Sequence, residues 1–217
     1  MTVSESFQSF ISEISSCRDL RSHALAIPNT EQKRMIYESI LLRCFRSYEN
    51  FIESSFLNYL IDNFDNPQDV KYRHFASPYD FNHARKMVSF SGGSQYPDWS
   101  DPNKVRARSN VFLNEDHPLG LAIGGKTAEI KWMQKIRNHI AHNSKESIIQ
   151  FQKVIKGIMI VPVSPTPSPG EFLSYTPKRG PLKNREVLAG FLDIIEETAC
   201  SVASVDPKRG SCTQIPN

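Results

Sequence analysis

Apolar residues recur at helical spacing through most of the chain. Residues 3–24 place their apolar side chains roughly on one side of a helix, and residues 30–64 carry a broader apolar stripe. A stripe of this width packs on more than one neighbour, so the second segment is expected to be the central helix of a bundle. Asn29 followed by Gln32 fits a capping box, which predicts that this helix begins here.

The second half of the chain carries three further helical patterns. They cover residues 127–142, a segment that runs from a capping-box pattern at Asn143 and Glu146 to about residue 155, and residues 184–203. The second of these helices is expected to follow the first directly.

Other segments interrupt the helical pattern. Residues 65–120 contain several prolines and a Ser-Gly-Gly-Ser run, which predict a long irregular insertion with a short helix at 79–87. Residues 157–161 are expected to form a short strand or a packed extended segment, and residues 162–181 a Pro-rich surface loop. The polar residues 205–217 are expected to form a frayed tail.

These elements predict an all-α fold, an up-and-down bundle of four to five main helices in a single domain over 1–217. The contents of 39% apolar and 23% charged residues argue against general disorder. No apolar run approaches about 20 residues, so no membrane-spanning helix is expected. The N-terminus lacks the features of a signal peptide and the four cysteines lack metal-ligand spacing, which favours the cytoplasm.

A glycine-rich segment at 120–127 matches the Walker A pattern G-x-x-x-x-G-K-[ST]. A P-loop needs a strand that leads into the loop, but residues 114–119 are charged and include Pro118. We therefore expect a flexible glycine loop that lets the next helix begin, with an anion at the helix N-terminus left open. A P-loop nucleotide-binding protein is kept as an alternative.

The segment with the richest candidate chemistry lies near the end of the helix at 127–142, where the sequence reads Arg137-Asn138-His139-Ile140-Ala141-His142. A guanidinium binds phosphate, and an imidazole with a pKa near ~6.5 moves protons, as phosphodiester cleavage requires. The Arg-to-His spacing alone is weak evidence, because Arg18 and His23 repeat it.

Helix geometry adds to the spacing. At about 100° per residue, one face of the helix combines cations and polar groups within an arc of roughly 60°; its members are Lys131, Lys135, Asn138 and His142. The opposite face is apolar and should pack in the bundle; its members are Trp132, Met133, Ile136 and Ile140. Two interpretations of the basic face remain open, a surface that follows an RNA backbone and an ordinary solvated face.

Arg137 lies about 140° from His142 around an ideal helix. Its side chain has to swing round, the helix has to loosen at its end, or a two-fold partner has to contribute the same helix, which small Ala141 would allow. His139 falls on the apolar side and is expected to be a satisfied core or supporting histidine.

The hexapeptide resembles the R-x(4–6)-H motif of the HEPN superfamily, including the polar residue after the arginine. The helical setting also matches, and the segment 42–53, with its aromatic and acidic residues, is similar to a helix of the RiboL-PSP-HEPN-type members. The resemblance covers roughly residues 5–160 and the final helix, and it leaves the 65–120 insertion unexplained.

The resemblance implies a dimeric, metal-independent endoribonuclease with a composite active site and a toxin or anti-phage defence role, held in check by an antitoxin or another regulatory partner. His142 would be the acid–base group and Arg137 would stabilise the phosphate and the transition state. Asn138 would orient the phosphate or the histidine. Glu49, or next to it Glu53, would support the arginine from the second helix, and no cofactor is implied.

The chemistry of the residues is consistent with this activity. RNA supplies its own nucleophile, the 2′-OH, so that a protein has only to move protons and stabilise charge, which yields a 2′,3′-cyclic phosphate. A single metal on His139 and His142 lacks a clear third ligand. The alternative from another class is a HEPN-like helical module that binds RNA or nucleotides, or dimerises, without cutting.

Two surface segments remain. The first contains three cations near two aromatic residues, in a region expected to be a loop; these are Lys104, Arg106, Arg108, Tyr96 and Trp99. Two interpretations remain open: the segment binds RNA by charge and stacking, or it is an ordinary exposed loop. The Pro-rich segment 162–181 would bind a partner in polyproline form or serve only as a connector.

Overall fold

The computed structural model describes residues 2–61, 78, 80–91, 97–113, 117–160 and 165–203. Within these ranges the regular secondary structure is helical, which confirms the all-α prediction. The helices are α1 (Val3–Leu25), α2 (Thr30–Leu60), α3 (Phe81–Ser91), α4 (Pro102–Phe112), α5 (Pro118–Gly125), α6 (Thr127–His142), α7 (Lys145–Met159), α8 (Pro169–Leu173) and α9 (Val187–Val202).

The long helices follow the apolar periodicity. Helices α1, α6 and α9 agree with the sequence prediction to within a few residues, and the amide of Gln32 donates to Asn29 Oδ1 at 3.0 Å, as the predicted cap requires. Helix α7 continues to Met159, so residues 157–159 are helical and the predicted strand is wrong. Ile160, with φ 61°, ends the helix in a left-handed conformation.

The described part of the 65–120 insertion is mostly helical, so the prediction of a largely irregular segment is wrong for it. Helix α3 corresponds to the predicted short helix, and α4 and α5 were not predicted. The side chain of Asp101 accepts from Asn103 N at 2.9 Å, and Pro102 occupies the first turn, so α4 begins with a standard cap. Within the Pro-rich segment, Ser168 and Glu171 form a capping box that begins α8. The predicted tail at 205–217 lies outside the described residues.

The chain forms two compact units. The first comprises the described residues within 1–11, 48–127 and 196–217. Its core is aromatic: Phe10 stacks on Phe51 with ring centroids 5.3 Å apart, and Phe56 packs at the same distance on Trp99. The prediction of a single domain over 1–217 stays a prediction.

The second unit comprises 12–47 and the described residues within 128–195. Cys17 and Cys44 are free and fully buried in it, as expected of small apolar side chains, and burial raises the pKa of the Cys17 thiol to about 11. Glu186 ties three segments together, because it accepts from Arg21 Nε at 2.6 Å and from the Tyr37 hydroxyl at 3.0 Å.

Helices α6 and α7 run antiparallel within this second unit. His139 contacts both Ser147 and Phe151, while an atom added to Gly157 would meet the Trp132 ring at 3.5 Å. The later residue of α6 therefore contacts the start of α7, and the earlier residue of α6 lies near the end of α7, as in an antiparallel pair. This pairing fixes the end of α6 against the first turns of α7.

Candidate active site

Helix α6 buries part of the predicted apolar stripe. Met133 and Ile136 are fully buried, together with Ile130, while Trp132 and Ile140 are partly exposed. The residues predicted for the opposite face are accessible: Lys131, Lys135 and Asn138 are partly exposed and His142 is exposed. The exposure separates His142 from the buried Met133 and Ile136, whereas Lys131, Lys135 and Asn138 are as partly exposed as Trp132 and Ile140.

Arg137 and Asn138 are joined directly. Nη1 of Arg137 donates to Oδ1 of Asn138 at 2.9 Å. The guanidinium therefore reaches the face that carries Asn138, and His142 lies one turn further on, about 40° away. Of the three ways considered to bring arginine and histidine together, a swing of the arginine side chain is the one that this contact supports.

The contact adds a second role to the one expected of Asn138, which stays a prediction. From the sequence, Asn138 is expected to orient the phosphate or the histidine. In the structure its carbonyl oxygen holds the arginine, and its NH2 group retains two donors.

The acidic support proposed from α2 is still a prediction. Glu49 is partly buried on α2 in the first unit, whereas Arg137 belongs to the second. Glu53, the second choice, lies 3.0 Å from Arg85 Nη2 on α3 and serves as the carboxylate of that ion pair.

His139 is held within the second unit, as its position on the apolar side predicted. Its ring stacks on Phe151 with centroids 4.9 Å apart, and Nδ1 lies 3.1 Å from Ser147 Oγ. Burial lowers the pKa of His139, although the nearby carboxylate of Glu38 opposes the shift. This environment favours the neutral imidazole.

The turn after α6 differs from the predicted one. Asn143 has φ 43° and ends α6 in the left-handed region, where asparagine is tolerated better than most residues. Ser144 caps α7, and its side chain accepts from Ser147 N. The predicted capping box at Asn143 and Glu146 is therefore wrong by one residue, because Asn143 is occupied in ending the preceding helix.

The second copy of the Arg-to-His spacing is used structurally. Nη2 of Arg18 lies 2.7 Å from the Asp193 carboxylate, and Nδ1 of His23 lies 2.8 Å from the carbonyl of Asp19.

The Walker A match is a helix. Residues 118–125 form α5, and Lys126 Nζ lies 3.0 Å from Glu197. The hydroxyl of Thr127 donates to the carbonyls of Ile123 and Gly124. The expected flexible glycine loop is therefore wrong, and the phosphate-binding loop of a P-loop protein has no counterpart here.

Two of the three cations near Trp99, Lys104 and Arg108, make contacts within the protein. Arg108 lies over the Trp99 ring at 5.1 Å and donates to the Asp98 carbonyl, and Lys104 pairs with the Asp98 carboxylate at 2.9 Å. Although burial opposes it, hydrogen bonds from Lys104 and Ser100 lower the pKa of Asp98 to about 2. Trp99 is buried, so it offers no open stacking platform. Tyr96 lies outside the described residues.

Two further properties follow from the described ranges. No three His, Cys, Asp or Glu side chains in these ranges cluster closely enough to hold a metal ion. None of the helices in these ranges combines the length and apolarity that a membrane crossing requires.

Comparison with protein-family models, with curated proteins and with solved structures gives no significant match. The resemblance to the HEPN superfamily therefore rests on the residues of α6 and α2 themselves.

Proposed function

We propose that the protein is a metal-independent endoribonuclease of HEPN type, with the active site at the C-terminal end of α6. The observation that carries the proposal is the hydrogen bond from Arg137 to Asn138, which brings the guanidinium to the face of α6 that bears His142. A fixed cation, an amide with free donors and an accessible imidazole are the groups that cleavage of a phosphodiester needs.

The reaction uses the 2′-OH of the RNA as nucleophile. His142 transfers protons, and Arg137 neutralises charge that develops on the phosphate oxygens. The bond from phosphorus to the 5′-oxygen breaks as the 2′-oxygen attacks, so the products are a 2′,3′-cyclic phosphate and a 5′-hydroxyl. Lys131 and Lys135 follow the strand along the preceding turns of α6.

A second copy of the chain would complete the site. His142 and Ala141 are exposed, and Ile148 and Ile149 on the first turns of α7 are 38% and 46% exposed. Electrostatic stabilisation acts most strongly where water is excluded, and a partner over this end of α6 would exclude it. We extend the proposal to a homodimer with a toxin or defence role, restrained in the cell by an antitoxin or a similar partner.

The test is cleavage of a single-stranded RNA by purified protein in EDTA. Wild type is expected to produce fragments that end in 2′,3′-cyclic phosphate, and Arg137→Ala and His142→Ala are expected to lower kcat by at least about a hundred-fold. Asn138→Ala should lower it less, because Arg137 keeps its charge but loses one orienting contact.

The chain offers its own matched control. His23→Ala changes the exposed histidine of the structural copy and should leave cleavage unchanged. Lys131→Ala and Lys135→Ala should raise KM and reduce its salt dependence, whereas Lys153→Ala on α7 should not. Equal activity of wild type and His142→Ala would refute the site, and cleavage that depends on a divalent metal would refute the mechanism. RNA binding without cleavage would support the alternative, a helical module that no longer cuts.

A further inference from the structure

A small polar cluster joins α6 to α7 beside the candidate active site. We call the cluster of His139, Ser144 and Ser147 the α6–α7 clamp. The side chain of Ser144 accepts from Ser147 N at 3.2 Å, and the hydroxyl of Ser147 donates to the Ser144 carbonyl at 2.8 Å. The same hydroxyl lies 3.1 Å from Nδ1 of His139. One serine thus connects the cap of α7 to the last turns of α6.

The clamp favours one tautomer of His139. The Ser147 hydroxyl lies nearer to the Ser144 carbonyl, at 2.8 Å, than to Nδ1 of His139, at 3.1 Å, and the carbonyl cannot donate. When the hydroxyl hydrogen goes to that carbonyl, the Ser147 oxygen accepts from Nδ1 of His139, and Nε2 is the unprotonated nitrogen of the neutral ring. A free imidazole side chain prefers the opposite tautomer. This gives the clamp a signature that can be measured.

The clamp holds the backbone from which His142 projects. His142 is the last residue of α6, and its side chain has no hydrogen-bond partner among the described residues. Directly after it, Asn143 donates its amide to the His139 carbonyl at 2.9 Å and turns the chain toward Ser144. The ring of His139 stacks on the ring of Phe151. Because the His142 side chain is otherwise unsupported, its place depends on this turn.

We propose that His139 and Ser147 are positioning residues of the active site, which hold the end of α6 so that His142 meets the RNA in one geometry. This inference rests on the proposed ribonuclease function. Neither residue touches the reacting atoms. A loss of about 1 Å in placement costs up to about a hundred-fold in rate, and the clamp prevents that loss.

The first experiment is a spectroscopic one on histidine-labelled protein. Long-range proton–nitrogen correlation at neutral pH should show His139 of the wild type protonated at Nδ1 and bare at Nε2. In Ser147→Ala the ring should revert to mainly the Nε2–H form, and the His142 ring signals should broaden. An Nε2–H form of His139 in the wild type, or His142 signals unchanged in Ser147→Ala, would overturn the proposal.

The second experiment separates positioning from stability. Ser147→Ala and His139→Phe, which keeps a ring against Phe151, should lower kcat about ten- to a hundred-fold while KM changes less than about two-fold. Ser168→Ala is the matched control, because it removes a serine cap from α8 in the same unit. An equal fall in kcat for Ser168→Ala would show that lost stability alone explains the effect.

The two proposals fail in different ways. If wild-type protein cuts no RNA, the ribonuclease function is refuted, whereas the tautomer of His139 and the order of His142 still test the clamp. If wild type cuts RNA and Ser147→Ala cuts it with the same kcat, the ribonuclease function stands and the positioning role is refuted.

Discussion

Arg137 and Asn138 behave as a single group because the guanidinium donates to the neighbouring amide oxygen. The contact restricts the rotamers of a long side chain that would otherwise sample many, so less entropy is lost when the arginine binds phosphate. Substitution of Asn138 is therefore expected to act by changing the position of the Arg137 side chain. A change at this position should be judged by its effect on kcat and not only on RNA affinity.

His139 gives stability a pH dependence of known sign. Burial lowers its pKa in the folded state, so the unfolded chain binds the proton more readily. The contribution is complete above the unfolded pKa, near ~6.5, and is lost as pH falls through the folded pKa. Urea unfolding at pH 7.5 and 5.5 should show a larger loss of stability for wild type than for His139→Phe, and equal losses would contradict this expectation.

The candidate residues could be named from sequence, but their connections could not. The spacing and the helix angle point to Arg137, His142 and the lysine face. These positions require a continuous helix over residues 127–142, and α6 spans these residues. Periodicity places Cα atoms only, so it does not decide among the three ways in which Arg137 and His142 can meet, and it does not predict the bond from Arg137 to Asn138. The bond between His139 and Ser147 joins two helices, and no pattern within one helix predicts it.

At the scale of elements, α4 and α5 pack through a glycine. A Cβ on Gly120 would lie 2.9 Å from Ser109 Oγ, and that hydroxyl is buried with no hydrogen-bond partner among the described residues. Alanine normally stabilises a helix interior by about 1 kcal/mol relative to glycine. Gly120→Ala should therefore gain little or lose stability alone, and gain about 1 kcal/mol once Ser109→Ala has removed the clash.

Gly124→Ala is the matched control for this cycle. A Cβ there would meet Arg106 at an ordinary 3.6 Å, so the stabilisation should appear in wild type and be the same after Ser109→Ala. Chemical denaturation of the single and double variants measures both couplings. A gain for Gly120→Ala that does not depend on Ser109 would contradict the packing account.

This packing explains why sequence misassigned the glycine segment. Gly120 and Gly124 are one helical turn apart and turn their bare faces to Ser109 and Arg106. Glycines at this spacing occur where two helices pack closely as well as in phosphate-binding loops. Only the presence of a partner helix distinguishes the two cases. The partner, α4, was itself missed, since its start at Asp101 and Pro102 lay among residues that read as irregular.

At the scale of the whole molecule, the proposed dimer makes a prediction by complementation. Arg137→Ala and His142→Ala chains would be mixed after denaturation and refolded together. Because Arg137 is directed toward the face of His142 in its own chain, each site is expected to use its own pair, and the mixed dimers should stay inactive. If instead each site took Arg137 from one chain and His142 from the other, half the dimers would be mixed with one of their two sites intact, and about a quarter of wild-type activity would return. Such a recovery would contradict the pairing within one chain.

The contacts of Glu186 and Asp193 can form only late in synthesis, because their partners lie far earlier in the chain. Arg21 and Tyr37 are separated by 165 and 149 residues from Glu186, and Arg18 by 175 residues from Asp193. At roughly 5–20 residues per second, a ribosome needs on the order of 10–30 s to reach these partners after it has made α1. During that interval the polar residues of α1 and α2 lack these partners, so the contacts of Arg18, Arg21 and Tyr37 form only after Glu186 and Asp193 have been made.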